Sequence, residues 1–211
     1  MSFKISVVMA SFLGDYPNAA SGRIEKFHRA VNSFLSQNYH NKELVIVSDG
    51  CPITISEANK YYNYENIKLY GIDKQPIFSG AVRDYGCKKA TGDIICYLDT
   101  DDYLGNTHLS YIVSGFGNND WVFFDDKIIY LFHPVNKNII SMAKRDVIVQ
   151  YGSIGTSSIA HRNMPLISWM DCNGYGHDWK FINKLMMLNL KFSKIPHCDY
   201  YVCHIPKSTD V

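Results

Sequence analysis

The sequence predicts an α/β protein, in which helices flank a mostly parallel sheet and a smaller antiparallel part is attached to it. The first observation behind this prediction is that short apolar runs alternate with helix-patterned segments between residues 5 and 98. Strands that alternate with helices usually pair in parallel and are covered on both faces. The second observation is that short β-rich runs separated by turn residues dominate after Asp102, which indicates antiparallel pairing.

The first half of the chain contains four predicted strands and three predicted helices. A β-rich run opens the chain at 5–9, and apolar residues at positions 24, 27, 31, 34 and 35 predict the first helix. Ser21 is a suitable N-cap for that helix. The same alternation then predicts a strand at 44–47, a helix at 56–64, a strand at 67–70, a helix at 80–90 and a strand at 94–98.

The second half begins with a predicted helix at 108–116, which ends in the stop signal Gly117-Asn118-Asn119. An amphipathic helix is predicted at 178–190 and a last strand at 200–203. Further short strands are predicted at 121–124, 127–132, 138–143 and 146–150. Because no repeat or low-complexity linker interrupts the chain, we expect one domain, 1–211, with halves at 1–102 and 103–211.

Composition excludes several classes of protein. The chain has 211 residues with 21 Lys+Arg against 20 Asp+Glu, so it lacks the basic excess of a nucleic-acid-binding protein. No apolar run reaches the roughly 18 residues of a membrane span, so we expect peripheral membrane contact at most. The six cysteines are scattered without a repeated spacing, which favours reduced thiols and a cytoplasmic location.

Polar side chains end the predicted parallel strands, where α/β sheets bind ligands. Ser11 and Asp49 follow two of these strands, and Asp99, Asp101 and Asp102 follow a third. Three carboxylates so close together repel one another unless a positive charge lies among them. A divalent cation bound to a diphosphate would supply that charge, since Mg²⁺ and Mn²⁺ prefer carboxylate and phosphate oxygens. The alternative is an acidic turn that caps the next helix.

Five segments, taken in order, resemble the motifs of family 2 glycosyltransferases. They are ISVVMASF at 5–12, AVNSFLSQNY at 30–39, ELVIVSDGC at 43–51, GAVRDYG at 80–86 and ATGDIICYLDTDD at 90–102. The resemblance implies a Rossmann-like GT-A fold. It also implies inverting transfer of a sugar from a nucleoside diphosphate to an acceptor hydroxyl in polysaccharide or glycan synthesis. UDP is the nucleotide that the resemblance favours.

The resemblance also assigns roles on the donor side. Asp49 looks like the acceptor of the pyrimidine imide N–H, with Ser11 lining the base pocket. Arg83 looks like the residue beside the base and diphosphate, and Asp99 resembles the ribose-side acid. The alternative for Arg83 is a surface helix residue that pairs with Asp84.

The metal ligands implied by the resemblance come from the acidic cluster and from the end of the chain. Asp101 resembles the metal-binding acid of an Asp-x-Asp motif, with Asp102 as a second ligand for Mn²⁺ or Mg²⁺. A late histidine of the family approaches the metal or diphosphate, and His204 matches it. The alternative for His204 is a half-exposed strand histidine.

The base is predicted at 174–179, which resembles the Glu-Asp motif of the family. Asp178 takes the position of the general base, and His177 replaces the glutamate. An acceptor hydroxyl must lose a proton as it attacks the anomeric carbon, so the chemistry requires such a group. The alternative for Asp178 is a carboxylate that the dipole of the last helix favours.

Two other functions stay open. A sugar-nucleotide nucleotidyltransferase would carry a glycine-rich basic loop after the first strand, but residues 11–22 contain no Lys or Arg. A non-catalytic member would bind a nucleotide or glycan without turnover. The acceptor, a glycan or a lipid-linked sugar, is left open, and Trp169 and Trp179 are interpreted as core residues in preference to sugar-stacking ones.

Overall fold

Strands and helices alternate along the chain in the computed structural model, which describes residues 3–16, 22–132, 139–197 and 199–204. The α-helices of the described residues are α1 (Arg23–Leu35), α2 (Pro52–Ala58), α3 (Gly80–Lys89), α4 (His108–Phe116) and α5 (His177–Met187). The strands are β1 (Ile5–Ser11), β2 (Lys42–Asp49), β3 (Ile67–Ile72), β4 (Ile94–Tyr97), β5 (Tyr103–Leu104), β6 (Trp121–Phe124), β7 (Asp126–Phe132), β8 (Ile139–Arg145), β9 (Ile159–Arg162), β10 (Phe192–Ile195) and β11 (Tyr200–His204).

The larger sheet has seven strands in the order β10-β6-β9-β4-β1-β2-β3. β1 pairs in parallel with both β2 and β4, and Val7 lies opposite Leu44 and Cys96. β9 is the exception, since it runs antiparallel to both of its neighbours, β4 and β6. The predicted α/β class with a mostly parallel, helix-flanked sheet is confirmed.

Alternating side chains of the central strands pack against helices on opposite faces. Val7 of β1 belongs to the core cluster that includes Phe27 of α1 and Leu109 of α4. Val8 belongs to the second cluster, which includes Phe181 of α5. Because both faces are covered, the central strands are continuous apolar runs, and this explains why they were predictable.

The smaller sheet has four strands in the order β5-β11-β7-β8. β11 is parallel to β7 and antiparallel to β5, while β7 and β8 form an antiparallel pair. The fully buried Asp126 of β7 accepts hydrogen bonds from Arg145 of β8 and from Ser157 and Ser158. This carboxylate therefore ties the smaller sheet to the turn that leads into β9.

Some predicted elements are wrong in position or kind. Residues 146–150 form no strand, because the Val147 amide donates to the Asp125 carboxylate (2.9 Å) instead of to a neighbouring strand. β6 belongs to the larger sheet and not to the antiparallel part, while β9 and β10 were not predicted. Ser21 lies outside the described residues, and the N-cap of α1 is Gly22, with φ of 64°.

The structure also bears on thiols and on membrane spans. The described cysteines are buried and free of disulfides: Cys51, Cys87, Cys96, Cys172 and Cys203. Within the described ranges, no helix has both the length and the apolar character that crossing a membrane requires.

Helix α3 lies so close to the sheet that Gly86 has no room for a side chain. A Cβ atom at Gly86 would lie 2.5 Å from Cγ1 of Val8 and 3.2 Å from Cγ2 of Val47. We expect Gly86→Ala to lower the free energy of unfolding by about 1–3 kcal/mol through overpacking. The measurement is urea denaturation. Gly71→Ala is the control, because the nearest atom to its Cβ is Ile55 Cδ1 at 3.7 Å, and an equal loss in both variants would contradict the packing argument.

Candidate functional site

A cleft of about 530 Å³ opens at the carboxyl ends of β1, β2 and β4. This is the position at which parallel α/β sheets bind ligands. The cleft brings together six of the predicted site residues, which are Ser11, Asp49, Arg83, Asp99, Asp101 and Asp178. Asp102 is not among the residues that line it, and the side chain of His204 lies outside the described part of the chain.

At one end of the cleft, Asp49 is held by the segment that follows β3. Its Oδ2 lies 2.6 Å from Nζ of Lys74, and its Oδ1 accepts a hydrogen bond from the amide of Gln75 (2.6 Å). Gly50 adopts φ of 60°, and a Cβ there would lie 2.6 Å from the backbone nitrogen of Lys74. Glycine is therefore required both by the left-handed backbone and by this close approach.

The wall beside Asp49 combines an aromatic ring with small polar groups. Nζ of Lys74 lies 4.4 Å from the centre of the Phe12 ring, and both residues line the cleft. The Ser11 hydroxyl is buried and lies 3.1 Å from the hydroxyl of Thr54. This end of the cleft thus offers a flat apolar surface next to a carboxylate, which suits a heteroaromatic base.

Arg83 lies at the centre of the cleft and joins its two sides. Its Nη2 donates to Oδ1 of Asp99 (2.8 Å), and its Nη1 lies 3.1 Å from Nε2 of His177. The guanidinium carbon also lies 5.4 Å from the centre of the Trp169 ring. Because the guanidinium stays protonated, it supplies a permanent positive charge beside Asp99.

The alternative interpretation, in which Arg83 is a surface residue paired with Asp84, is wrong. Asp84 faces away from the cleft, where it accepts hydrogen bonds from the Ser168 hydroxyl (2.7 Å) and the Trp169 amide (2.9 Å). It also pairs with Lys88 one helical turn later, at 2.7 Å. Asp84 therefore anchors the segment that carries Trp169 to α3.

Trp169 is a core residue, as interpreted from the sequence, and it is 1% exposed. Its indole N–H donates to the hydroxyl of Tyr97 (2.7 Å), which lies 2.6 Å from Nε2 of His161. Burial lowers the pKa of His161 to about 4, so the ring is neutral and its Nε2 accepts a hydrogen bond from the Tyr97 hydroxyl. This buried network fixes the indole that lies beneath Arg83.

The aspartates that follow β4 have different surroundings. Asp101 is exposed at the cleft, whereas the buried carboxylate of Asp102 accepts hydrogen bonds from the Tyr200 hydroxyl (3.0 Å) and the Cys203 amide (2.8 Å). Burial, with the charges of Asp101 and Asp99, raises the pKa of Asp102 well above its usual value. Asp102 therefore attaches the loop formed by residues 98–102, which we call the acidic loop, to β11.

Asp101 lies where negative charge is concentrated. Desolvation by the surrounding protein, together with the charge of Asp99, raises its pKa. The basic residues Arg23 and Lys26 of α1 line the same part of the cleft and act in the opposite direction. With Lys74, they are cleft residues that sequence reasoning missed, since no motif marks them.

The carboxylates of Asp99 and Asp101 are hard oxygen donors, which are the ligands that Mg²⁺ and Mn²⁺ prefer. A cation between them would also relieve the repulsion that raises the pKa of Asp101. The donor set therefore fits such an ion. Among the residues that the structure describes, no three His, Cys, Asp or Glu side chains are arranged to hold a metal by themselves.

Asp178 lies in the first turn of α5, after the left-handed N-cap residue Gly176. Its Oδ1 atom is buried without a partner in hydrogen-bond geometry, although Nε2 of His177 lies 2.9 Å away. Burial alone would raise the pKa of Asp178, but His177 and Arg83 outweigh it and lower the pKa. Asp178 is therefore an ionised carboxylate at neutral pH, and its side chain is 32% exposed in the cleft.

A second, smaller cleft of about 250 Å³ adjoins the first. Both clefts are lined by Phe78, His177 and Asp178. Three aromatic residues, Tyr151, Tyr175 and Trp179, also line the smaller cleft, together with Gly152, Ile154 and Gly176. Asp178 thus lies on the boundary between the two clefts.

Similar proteins are glycosyltransferases. An uncharacterized glycosyltransferase of Nostoc sp. is 32% identical over 125 residues, which are 56% of this chain and 34% of that protein. One of Haemophilus influenzae is 34% identical over 86 residues, 39% of this chain and 33% of that protein. The matches cover about a third or less of the length of these curated relatives.

Among solved structures, residues 1–349 of S. aureus TarS in complex with UDP-GlcNAc superimpose with a TM-score of 0.69 and 20% identity. The match covers 99% of this chain and 62% of that one, and it confirms the predicted GT-A fold. Residues 20–141, more than half of the chain, match the model of glycosyl transferase family 2. The chain therefore belongs to glycosyl transferase family 2.

Proposed function

We propose that this protein is an inverting glycosyltransferase that moves a sugar from a UDP-sugar to an acceptor hydroxyl. The observation that carries the proposal is the convergence of Asp49, Arg83, Asp99, Asp101 and Asp178 on one cleft. Membership of the family supports glycosyl transfer. The choice of UDP draws support from TarS, which shares the fold and has been crystallised with UDP and with UDP-GlcNAc.

The donor would lie along the cleft from Asp49 towards Asp178. In this proposal, the uracil imide N–H donates to the Asp49 carboxylate while the ring lies against Phe12. Asp99 binds the ribose, and the charges of Arg23 and Lys26 face the diphosphate. The positive charge of Arg83 supports this direction, because Arg83 contacts Asp99 (2.8 Å) on one side and lies 3.1 Å from His177, the neighbour of Asp178, on the other.

We propose that Asp101 holds Mg²⁺ or Mn²⁺ together with the diphosphate. When bound, the ion supplies positive charge that stabilises the departing nucleoside diphosphate. Asp102 is left out of this ligand set because it is buried and does not line the cleft. His204 stays a predicted ligand.

Asp178 is proposed as the base. As the acceptor oxygen bonds to the anomeric carbon, its proton passes to Asp178, the bond between that carbon and the diphosphate breaks, and UDP leaves. Attack opposite the leaving group inverts the anomeric configuration. The lowered pKa of Asp178 keeps the carboxylate ready for the proton at neutral pH.

The donor site is tested by calorimetric titration of UDP, GDP, CDP and TDP in the presence of Mn²⁺ and again with a chelator. We expect UDP to bind most tightly, and the chelator or Asp101→Ala to weaken its binding at least about tenfold, since charge compensation at the diphosphate is lost. Glu65→Ala removes an exposed carboxylate elsewhere and should bind UDP normally. Binding of none of the four nucleotides would overturn the donor assignment.

The base is tested by Asp178→Asn in an assay of UDP release from UDP-GlcNAc. We expect turnover to fall by about 10²- to 10⁴-fold while UDP affinity stays nearly unchanged, because an amide cannot accept the acceptor's proton. Glu65→Gln is the isosteric control. An unchanged rate would remove Asp178 from the mechanism. Formation of UTP and N-acetylglucosamine 1-phosphate when pyrophosphate is added would indicate a nucleotidyltransferase.

The pH dependence of turnover tests the electrostatic setting of the base. His177→Phe removes a group that lowers the pKa of Asp178, so this pKa should rise. A base works only when deprotonated, so activity should be lost at a higher pH in the variant as acidity increases. His40→Phe removes an exposed histidine elsewhere and serves as the control. If turnover is lost at the same acidic pH in His177→Phe and in the unaltered protein, the group that limits activity in acid is not Asp178.

A further inference from the structure

Four aromatic side chains surround the smaller cleft and form what we call the aromatic groove, namely Phe78, Tyr151, Tyr175 and Trp179. The groove meets the donor cleft at Phe78, His177 and Asp178. A molecule in the groove would therefore approach the proposed base from the side opposite to the bulk of the donor cleft.

The rings of the groove are unusually accessible to solvent. Tyr175 is 85% exposed, Tyr151 is 56% exposed and Phe78 is 50% exposed. They form two edge-to-face pairs, with centroids 6.3 Å apart for Phe78 and Tyr175 and 6.2 Å apart for Tyr151 and Trp179. Clustered exposed aromatic surface beside a cleft is typical of a ligand site, whereas single exposed rings are not.

Phe78 is held in a backbone conformation that bulky residues avoid. Its φ is 60°, and its carbonyl accepts a hydrogen bond from the Gly174 amide (3.0 Å). Its ring stacks on His177, with centroids 5.6 Å apart and planes 21° apart. A left-handed conformation costs free energy for such a residue and persists where surrounding contacts enforce it. The ring is thereby fixed beside the base.

The chemistry of the groove selects among kinds of acceptor. No Lys or Arg is among the described residues that line it, and Asp178 contributes a negative charge. A phosphate-bearing acceptor would meet repulsion there without a compensating cation. A sugar ring suits the groove, because its C–H face packs on aromatic faces while tyrosine hydroxyls and the indole N–H bond to its hydroxyls.

We propose that the aromatic groove binds an uncharged pyranose ring of a carbohydrate acceptor and directs one of its hydroxyls to Asp178. This assignment rests on the proposed function for the role of Asp178, and it adds the class of acceptor. Tyr175 and Tyr151 are the residues that determine acceptor affinity. They are the most exposed rings of the groove, and each belongs to a different ring pair.

The test is saturation-transfer NMR on the whole chain, with and without UDP and Mn²⁺. The probes are methyl glucopyranoside, N-acetylglucosamine, lactose and chitobiose, with citronellyl phosphate as the charged lipid-like probe. We expect one or more saccharides to bind and Tyr175→Ala and Tyr151→Ala each to weaken that binding about three- to tenfold, the contribution of one aromatic contact. Tyr62→Ala, which removes a ring that is 79% exposed elsewhere, is the matched control.

The outcomes separate the groove from the donor site. UDP affinity should be the same in Tyr175→Ala, Tyr151→Ala and the unaltered protein. Saccharide binding that is insensitive to both variants, binding of citronellyl phosphate alone, or binding of no probe would overturn the groove assignment while leaving UDP binding intact. Saccharide binding that depends on Tyr175 in a protein that fails to bind UDP would support the groove and overturn the transferase.

Discussion

The ion pair between Arg83 and Asp99 is the interaction on which the arrangement of the cleft depends. Asp99 follows β4, Arg83 extends from α3, which packs on β1 and β2, and His177 approaches from the second half. The guanidinium also lies above the buried indole of Trp169, whose position is set by Tyr97 and by hydrogen bonds to Asp84. One permanent positive charge thus connects the donor side, the core and the region of Asp178.

The carboxylates of the acidic loop after β4 point to different partners. Asp99 meets Arg83, Asp102 meets Tyr200 and the backbone of β11, and Asp101 faces the cleft. The pKa of Asp101 stays raised because the surrounding protein desolvates it and Asp99 repels it, so a bound cation would stabilise its charged form. Structural and chemical tasks are therefore divided within a stretch that looks uniform in the sequence.

Periodicity and motifs predicted the parallel core and six of the residues that line the cleft, because apolar runs and strand-end aspartates are local signals. β9 (IAHR) and β10 (FSKI) escaped prediction because polar residues interrupt their apolar ones, whereas β4 (IICY) and β6 (WVFF), which are equally short, are continuous apolar runs. Lys74 escaped as well: only folding brings it onto Asp49, 25 positions earlier. The aromatic groove likewise joins segments that are far apart along the chain, and no sequence motif predicts that they come together.

The placement of β9 has a consequence for how the chain reaches its final form. Because β9 lies between β4 and β6, the edge of β4 stays unpaired until residues 159–162 arrive. During synthesis, the first half would therefore present an apolar strand edge, which is a template for association with other chains. The first half of the chain, residues 1–102, is topologically incomplete by itself. Its separation from the second half would yield an aggregating fragment and not a smaller binding module.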